Sequence, residues 1–370
     1  MNMIILYILL NIFQLFQYIL SNKDDVHNHK DCKWIMKSNS PEAYFINMDR
    51  SVNRRITIEK HLNEIGLKHK RIKGINPREI YIPQEVEKTW QTAWCFINGE
   101  YQVPNRKDIK EDHILYKYNY IMAAMCGRGK GKNTIKELGC LTSHLVAMRD
   151  AIYSKTATSK YALIIEDDVI FPFDIDFEEL ANSAPKPFGI LQLFNSNKET
   201  MRHTWELYKK KRVLWNPRSA ASFDFWSTCA YLIDREVMKP IIDAVIYELY
   251  GWTQFKVIAG INGPCAPSEC CVKTNKTLNF INAPPCVYAP RGFQADSYLY
   301  AMTTTYMISV PLIANGKGGN QSTFHQDHVE MLHKNAFRQQ RQFINEMLQD
   351  KSLPPPFATP ACKTLDVNEL

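Results

Sequence analysis

The chain has little of several things, and each shortage narrows its function. No G-x-x-x-x-G-K-[ST] spacing occurs. Gly127-Arg-Gly-Lys-Gly-Lys132 is glycine-rich and basic but lacks it, so it reads as a flexible basic loop rather than a phosphate cradle. No paired Cys-x-x-Cys occurs, which counts against a structural zinc site. No internal repeat is present, which removes solenoid architectures. Basic residues are dispersed rather than gathered in a tail, and the formal net charge is only +7 over 370 residues. That balance favours a small anionic ligand over nucleic acid.

What is present begins with an apolar run from Met3 to Leu20, broken only by Asn11, Gln14 and Gln17. Its length and place predict a signal peptide or signal anchor over residues 1–21, the chain's only link to a membrane. No basic residues precede it, so charge does not set its orientation. Residues 22–40 read as a polar stem, 41–350 as the catalytic domain and 351–370 as a disordered tail. Ten cysteines suit the lumen of the endoplasmic reticulum or Golgi, above all the cluster Cys265, Cys270, Cys271 and Cys286. The sequons at Asn275 and Asn320 would be usable there. The terminal Val-Asn-Glu-Leu370 departs at two positions from a retrieval tail.

Along the chain, Ala43–Met48 reads as a strand, Ile58, Leu62 and Ile65 as one helical face ended by Gly66, and Leu67–Gly74 as a second strand. This βαβ start predicts an α/β domain, a mostly parallel central sheet flanked by helices. Residues 76–136 read as an insertion of mixed structure. A helix with Leu141, Leu145, Met148 and Ile152 on one stripe then leads to a third strand. Further strands are expected at Gly189–Phe194, Phe225–Ile233 and Thr305–Ile313, and helices at Val237–Tyr250 and Asp327–Asp350. Residues 251–291 read as a Cys-rich loop insertion.

The third strand, Tyr161–Phe171, is apolar except for Glu166, Asp167 and Asp168. Alternate side chains of an extended segment share a face, so Glu166 and Asp168 are expected to point one way and Asp167 the other. Paired carboxylates at the carboxyl end of a buried strand suit a hard divalent cation such as Mn²⁺ or Mg²⁺. Asp174-Ile-Asp176 is a second acidic pair, but it precedes Phe177 and is assigned to helix capping.

Four blocks, in order, resemble glycosyltransferase family 25, which includes procollagen and bacterial lipooligosaccharide galactosyltransferases. They are Tyr44–Arg50 with Arg54 and Arg55, Leu138–His144, Ile165–Val169, and Cys229–Ile233 followed by a helix and Asp296. The resemblance implies a GT-A-like nucleotide-sugar-binding fold, a UDP-sugar donor (commonly UDP-galactose), a divalent metal and inversion at the anomeric carbon. It places Asp168 and Glu166 on the metal, with Glu166 alternatively on the ribose, and Asp49, Arg50 and Arg55 beside the nucleotide. Asp296 becomes the base, and His325, late in the chain, the third metal ligand. The acceptor would be a glycan or protein hydroxyl, collagen-like hydroxylysine among them. Two other readings compete: a catalytically inactive relative that binds a partner at the cell surface or in the lumen, and a nucleotidyltransferase or phosphohydrolase using the same acids.

Overall fold

The computed structural model describes residues 40–83, 119–126, 134–218, 225–249, 251–260, 287–288, 293–316, 329–350 and 352–360. The expected leader and most of the stem, the basic loop at 127–132, both sequons, the cysteine cluster and His325 lie outside them. No helix among the described residues is long and apolar enough to cross a membrane.

The chain opens with β1 (Ala43–Asn47), α1 (Val52–Glu64) and β2 (His69–Lys73), the parallel βαβ unit the sequence predicts. Gly66 ends α1 at φ 67°, a conformation that suits glycine. The Gly66 N–H donates to Asn63 O and the Leu67 N–H to Leu62 O, a Schellman closure that also buries Leu62 with Leu67. Next come β3 (Ile80–Tyr81), β4 (Tyr120–Cys126), α2 (Thr134–Ile152), β5 (Tyr161–Glu166), β6 (Val169–Ile170), β7 (Phe173–Ile175) and α3 (Phe177–Asn182). They are followed by β8 (Ile190–Gln192), α4 (Lys198–Lys211), β9 (Trp215–Pro217), β10 (Ala230–Asp234), α5 (Arg235–Val245), β11 (Ile246–Leu249) and β12 (Trp252–Gly260). The last elements are β13 (Val287–Tyr288), α6 (Ala295–Leu299), β14 (Thr305–Ile308), β15 (Ala314–Asn315), α7 (Val329–Gln349) and β16 (Ala358–Pro360).

The central sheet has the order β2-β1-β5-β10-β8-β14-β9. The pairings make β2, β1, β5, β8 and β14 run one way and only β10 and β9 the other. Both faces are covered, which is why β5 and β10 are apolar without alternation. Phe45, Leu163, Ile165 and Leu232 point into one core with α1, α3, α4 and α7. Tyr44, Ala162, Ile164 and Ile233 point into the other with α2, α5 and α6. The carboxyl ends of β1 and β5, adjacent and parallel, therefore open on one edge of the sheet.

Several boundaries differ from the expected ones, each for a local reason. The helix expected to reach Tyr250 stops at Val245, because Ile246–Leu249 pairs antiparallel with β12 around Gly251 at φ 77°. Residues 252–260, expected as loop, are that partner strand. It also pairs with β4, so part of the 76–136 insertion joins a second sheet, β11-β12-β4-β3. The strand expected from Phe225 begins only at Ala230, since Ser227 takes φ 81°. The strand expected to reach Ile313 ends at Ile308, just before Pro311, which has no N–H for a ladder. Part of the expected disordered tail is β16, paired with β7.

Of the second acidic pair, Asp176 caps α3 and accepts the Glu179 N–H at 3.1 Å, whereas Asp174 lies in β7 opposite Thr359. Asp176→Ala should lower stability by about 1 kcal/mol, and Asp174→Asn should leave the cap intact. Thermal melts of the two variants check the assignment: equal loss in both contradicts it.

Candidate active site

The site lies where β5 ends. Glu166 is the last residue of β5, and a turn through Asp167 and Asp168 leads to β6. The three acids separate as expected, although Asp167 and Asp168 lie in the turn rather than the strand. Asp167 turns toward β1 and α1: it accepts a hydrogen bond from Asn47 Nδ2 and pairs with Arg54 at 3.2 Å. Asn47 also donates to Ser51 O and accepts from Arg71, so its amide ties the end of β1 to the acidic turn. Burial pushes the Asp167 carboxyl up, against the opposing pull of Arg54 and Asn47.

Glu166 and Asp168 face the other way, together with Cys229. One ligand atom from each lies within 4.8 Å of the others. Burial raises the Glu166 carboxyl, but His144, Thr228 and Arg54 outweigh it and hold the group below its ordinary range. Thr228 Oγ1 donates to Glu166 Oε1 at 2.8 Å, and His144 Nε2 stands 3.5 Å from the same oxygen. His144 is itself buried in α2, with Nδ1 2.9 Å from the Tyr231 hydroxyl of β10.

Asp168 is in the opposite state. Burial and the charges of Glu166 and Asp167 push it up to about 7, with Arg54, 3.9 Å away, and Asn315 opposing. Its Oδ1 is buried with no hydrogen-bond partner. Two carboxylates held together, one of them with an orphaned buried oxygen, fit a divalent cation. The Cys229 thiol is pushed well up by burial and then by the two acids, so it stays protonated. The donor set is one of oxygens, which suits Mn²⁺ or Mg²⁺.

Asp296 is linked to the acids through the segment 227–228. It is the second residue of α6, whose N-cap is Gln294, so it lies in the first turn without capping the helix. Its Oδ2 accepts the Ser227 N–H at 3.0 Å and its Oδ1 the Ser297 N–H at 2.7 Å. Ser227, at φ 81°, is the residue that makes the first of these contacts. Adjacent residues therefore hold the two key carboxylates: Ser227 holds Asp296 and Thr228 holds Glu166. Arg218 stands near Asp296 and donates to Ser297 O at 3.2 Å.

The residues expected beside a nucleotide are arranged differently from the acids. Asp49, exposed just past β1, is engaged by Arg71 at 2.6 Å and Lys73 at 3.3 Å, and these lower its pKa, Arg71 most. Arg50 is exposed and Arg55 half-buried. The arginine that reaches the acidic turn is their neighbour Arg54. Sequence reasoning also passed over the roles of His144, Thr228 and Asn315.

Comparison with known proteins adds the following. Residues 40–250 match the family model of glycosyltransferase family 25 (LPS biosynthesis protein), so the match ends before Asp296. No curated protein matches the chain significantly. Among solved structures, a Drosophila beta-1,4-galactosyltransferase 7 mutant in complex with manganese, UDP-Gal and xylobiose aligns at 9% identity and a TM-score of 0.23. The alignment spans 57% of this chain and 58% of that one, and a likeness this slight carries no argument.

Proposed function

The chain belongs to glycosyltransferase family 25, and from that premise we propose that it is a metal-dependent inverting glycosyltransferase. It moves a hexose, galactose as the family's common donor sugar, from a UDP-sugar to a hydroxyl of a glycan or protein. The observation that carries this is the pairing of acids at the end of β5: Glu166 and Asp168 converge, and Asp168 keeps a buried oxygen without a partner. The GT-A-like α/β fold presents that pair at the carboxyl end of a central strand, where ligands of such sheets bind.

Glu166 and Asp168 are the residues that hold the cation. When bound, the cation supplies Lewis-acid neutralisation of the departing diphosphate. Thr228 and His144 fix the Glu166 carboxylate, and Arg54 pairs with Asp167 on the side toward α1. Asp296 takes the proton of the acceptor hydroxyl as the new glycosidic bond forms, and its two backbone donors fix the carboxylate plane. Asp49, Arg50 and Arg55, past the end of β1, are assigned to the nucleotide, and His325 to the cation. The apolar run from Met3 to Leu20 and the cysteine content are the grounds for placing this action in the secretory lumen.

A screen of UDP-sugars with Mn²⁺ against collagen-like and glycan acceptors tests the reading. Turnover of one UDP-sugar, highest with UDP-galactose, is expected. Donor binding without turnover of any UDP-sugar would instead support the inactive relative.

A further inference from the structure

Asn315 is pressed against the acidic turn by the backbone on both sides of it. In β15 it stands opposite Val169 of β6, and the next residue, Gly316, donates its N–H to Asp168 O at 2.7 Å. Its side-chain amide lowers the Asp168 carboxyl against the pull of burial. The residue is only 4% exposed. Yet its Oδ1 is buried with no hydrogen-bond partner, and so is Asp168 Oδ1. A buried amide oxygen needs a partner when water is excluded, and here it has none. Two buried acceptor oxygens on adjoining segments, neither served by a donor, are what a cation satisfies.

We propose that Asn315 supplies a neutral oxygen ligand to the divalent cation held by Glu166 and Asp168. The inference rests on the metal-dependent reading above. An amide is suited to the place because its two ends have nearly the same shape. Turned one way it donates N–H to the bare carboxylate, and turned the other it offers oxygen to a cation. The choice of asparagine over a third acid also has a chemical consequence. Two carboxylates neutralise a divalent ion, and a third would leave the site negative and repel the diphosphate.

The test is Mn²⁺ binding to the nucleotide-free protein, by calorimetry, with the water molecules on bound Mn²⁺ counted by proton relaxation. Asn315→Leu should weaken Mn²⁺ binding about tenfold or more. It should also add one water to the bound ion, and its melting temperature in EDTA should not fall. A purely structural asparagine would not change the water count. An affinity and water count equal to wild type in Asn315→Leu overturn the proposal while leaving the metal reading standing. If Asn315→Leu does not fold, Asn315→Asp decides: it keeps an oxygen and should bind Mn²⁺ more tightly with an unchanged water count, and weaker binding overturns the proposal. Wild-type protein that binds no Mn²⁺ overturns the metal reading and this inference with it.

Discussion

Asp168→Asn should lower glycosyl transfer by roughly three orders of magnitude or more while the protein still folds. Asparagine keeps the size of the side chain and removes the charge that anchors the cation. The same substitution should stabilise the protein when no metal is bound. In the fold the Asp168 carboxyl is pushed up to about 7, whereas in an unfolded chain it titrates near ~3.9. Between those values the folded state keeps a proton that the unfolded state has lost, so stability falls as pH rises through the window. Above it the loss is on the order of a few kcal/mol. Glu166, held low, acts with the opposite sign, so the effect is read as the difference between wild type and variant at each pH. In EDTA, Asp168→Asn should melt above wild type at pH 8 and alongside it near pH 4. A variant that melts below wild type at pH 8 contradicts the placement of Asp168 among uncompensated charges.

Asp296→Asn should lower transfer by about two to four orders of magnitude, the usual contribution of a positioned base. The amide oxygen of asparagine still accepts a backbone N–H, but it cannot take a proton. Since both carboxylate oxygens are engaged, by Ser227 and Ser297, the amide nitrogen must then face one N–H donor. A modest fall in melting temperature is therefore expected as well. UDP and Mn²⁺ affinities should stay within about twofold of wild type. Near-normal turnover would reduce Asp296 to a brace for the Ser227 turn. Loss of metal binding would mean that it belongs with Glu166 and Asp168.

Much of the fold is visible in the sequence because local signals agree there. Ile58, Leu62 and Ile65 face the core, and Gly66 ends the helix as its spacing predicts. The end of α5 is different. Ile241, Ile242, Val245 and Ile246 keep helical spacing, and only the pairing with β12 turns Ile246–Leu249 into a strand. The β16 strand is equally silent, since three residues become a strand only when β7 is beside them. In the site, the division of Glu166 and Asp168 from Asp167 is the one that strand alternation suggests, although Asp167 and Asp168 lie in the turn after β5. The choice of Arg54 over Arg55 has no such local signal, because both flank the buried face of α1. What decides it is the segment 167–171, met by Arg54 at Asp167 and by His61, seven residues on, at the Phe171 N–H. His144 lies among the buried leucines of α2, and its partner Tyr231 is 87 residues away. Asn315 belongs to no motif, and its importance is visible only once β15 is seen against β6.

The most direct test of the central claim is the affinity of the wild-type protein for UDP, measured with Mn²⁺ and again in EDTA. If Glu166 and Asp168 hold a cation that receives the diphosphate, Mn²⁺ should tighten UDP binding at least tenfold, and Asp168→Asn should abolish the difference. Equal UDP affinity with and without Mn²⁺ in the wild-type protein would contradict it.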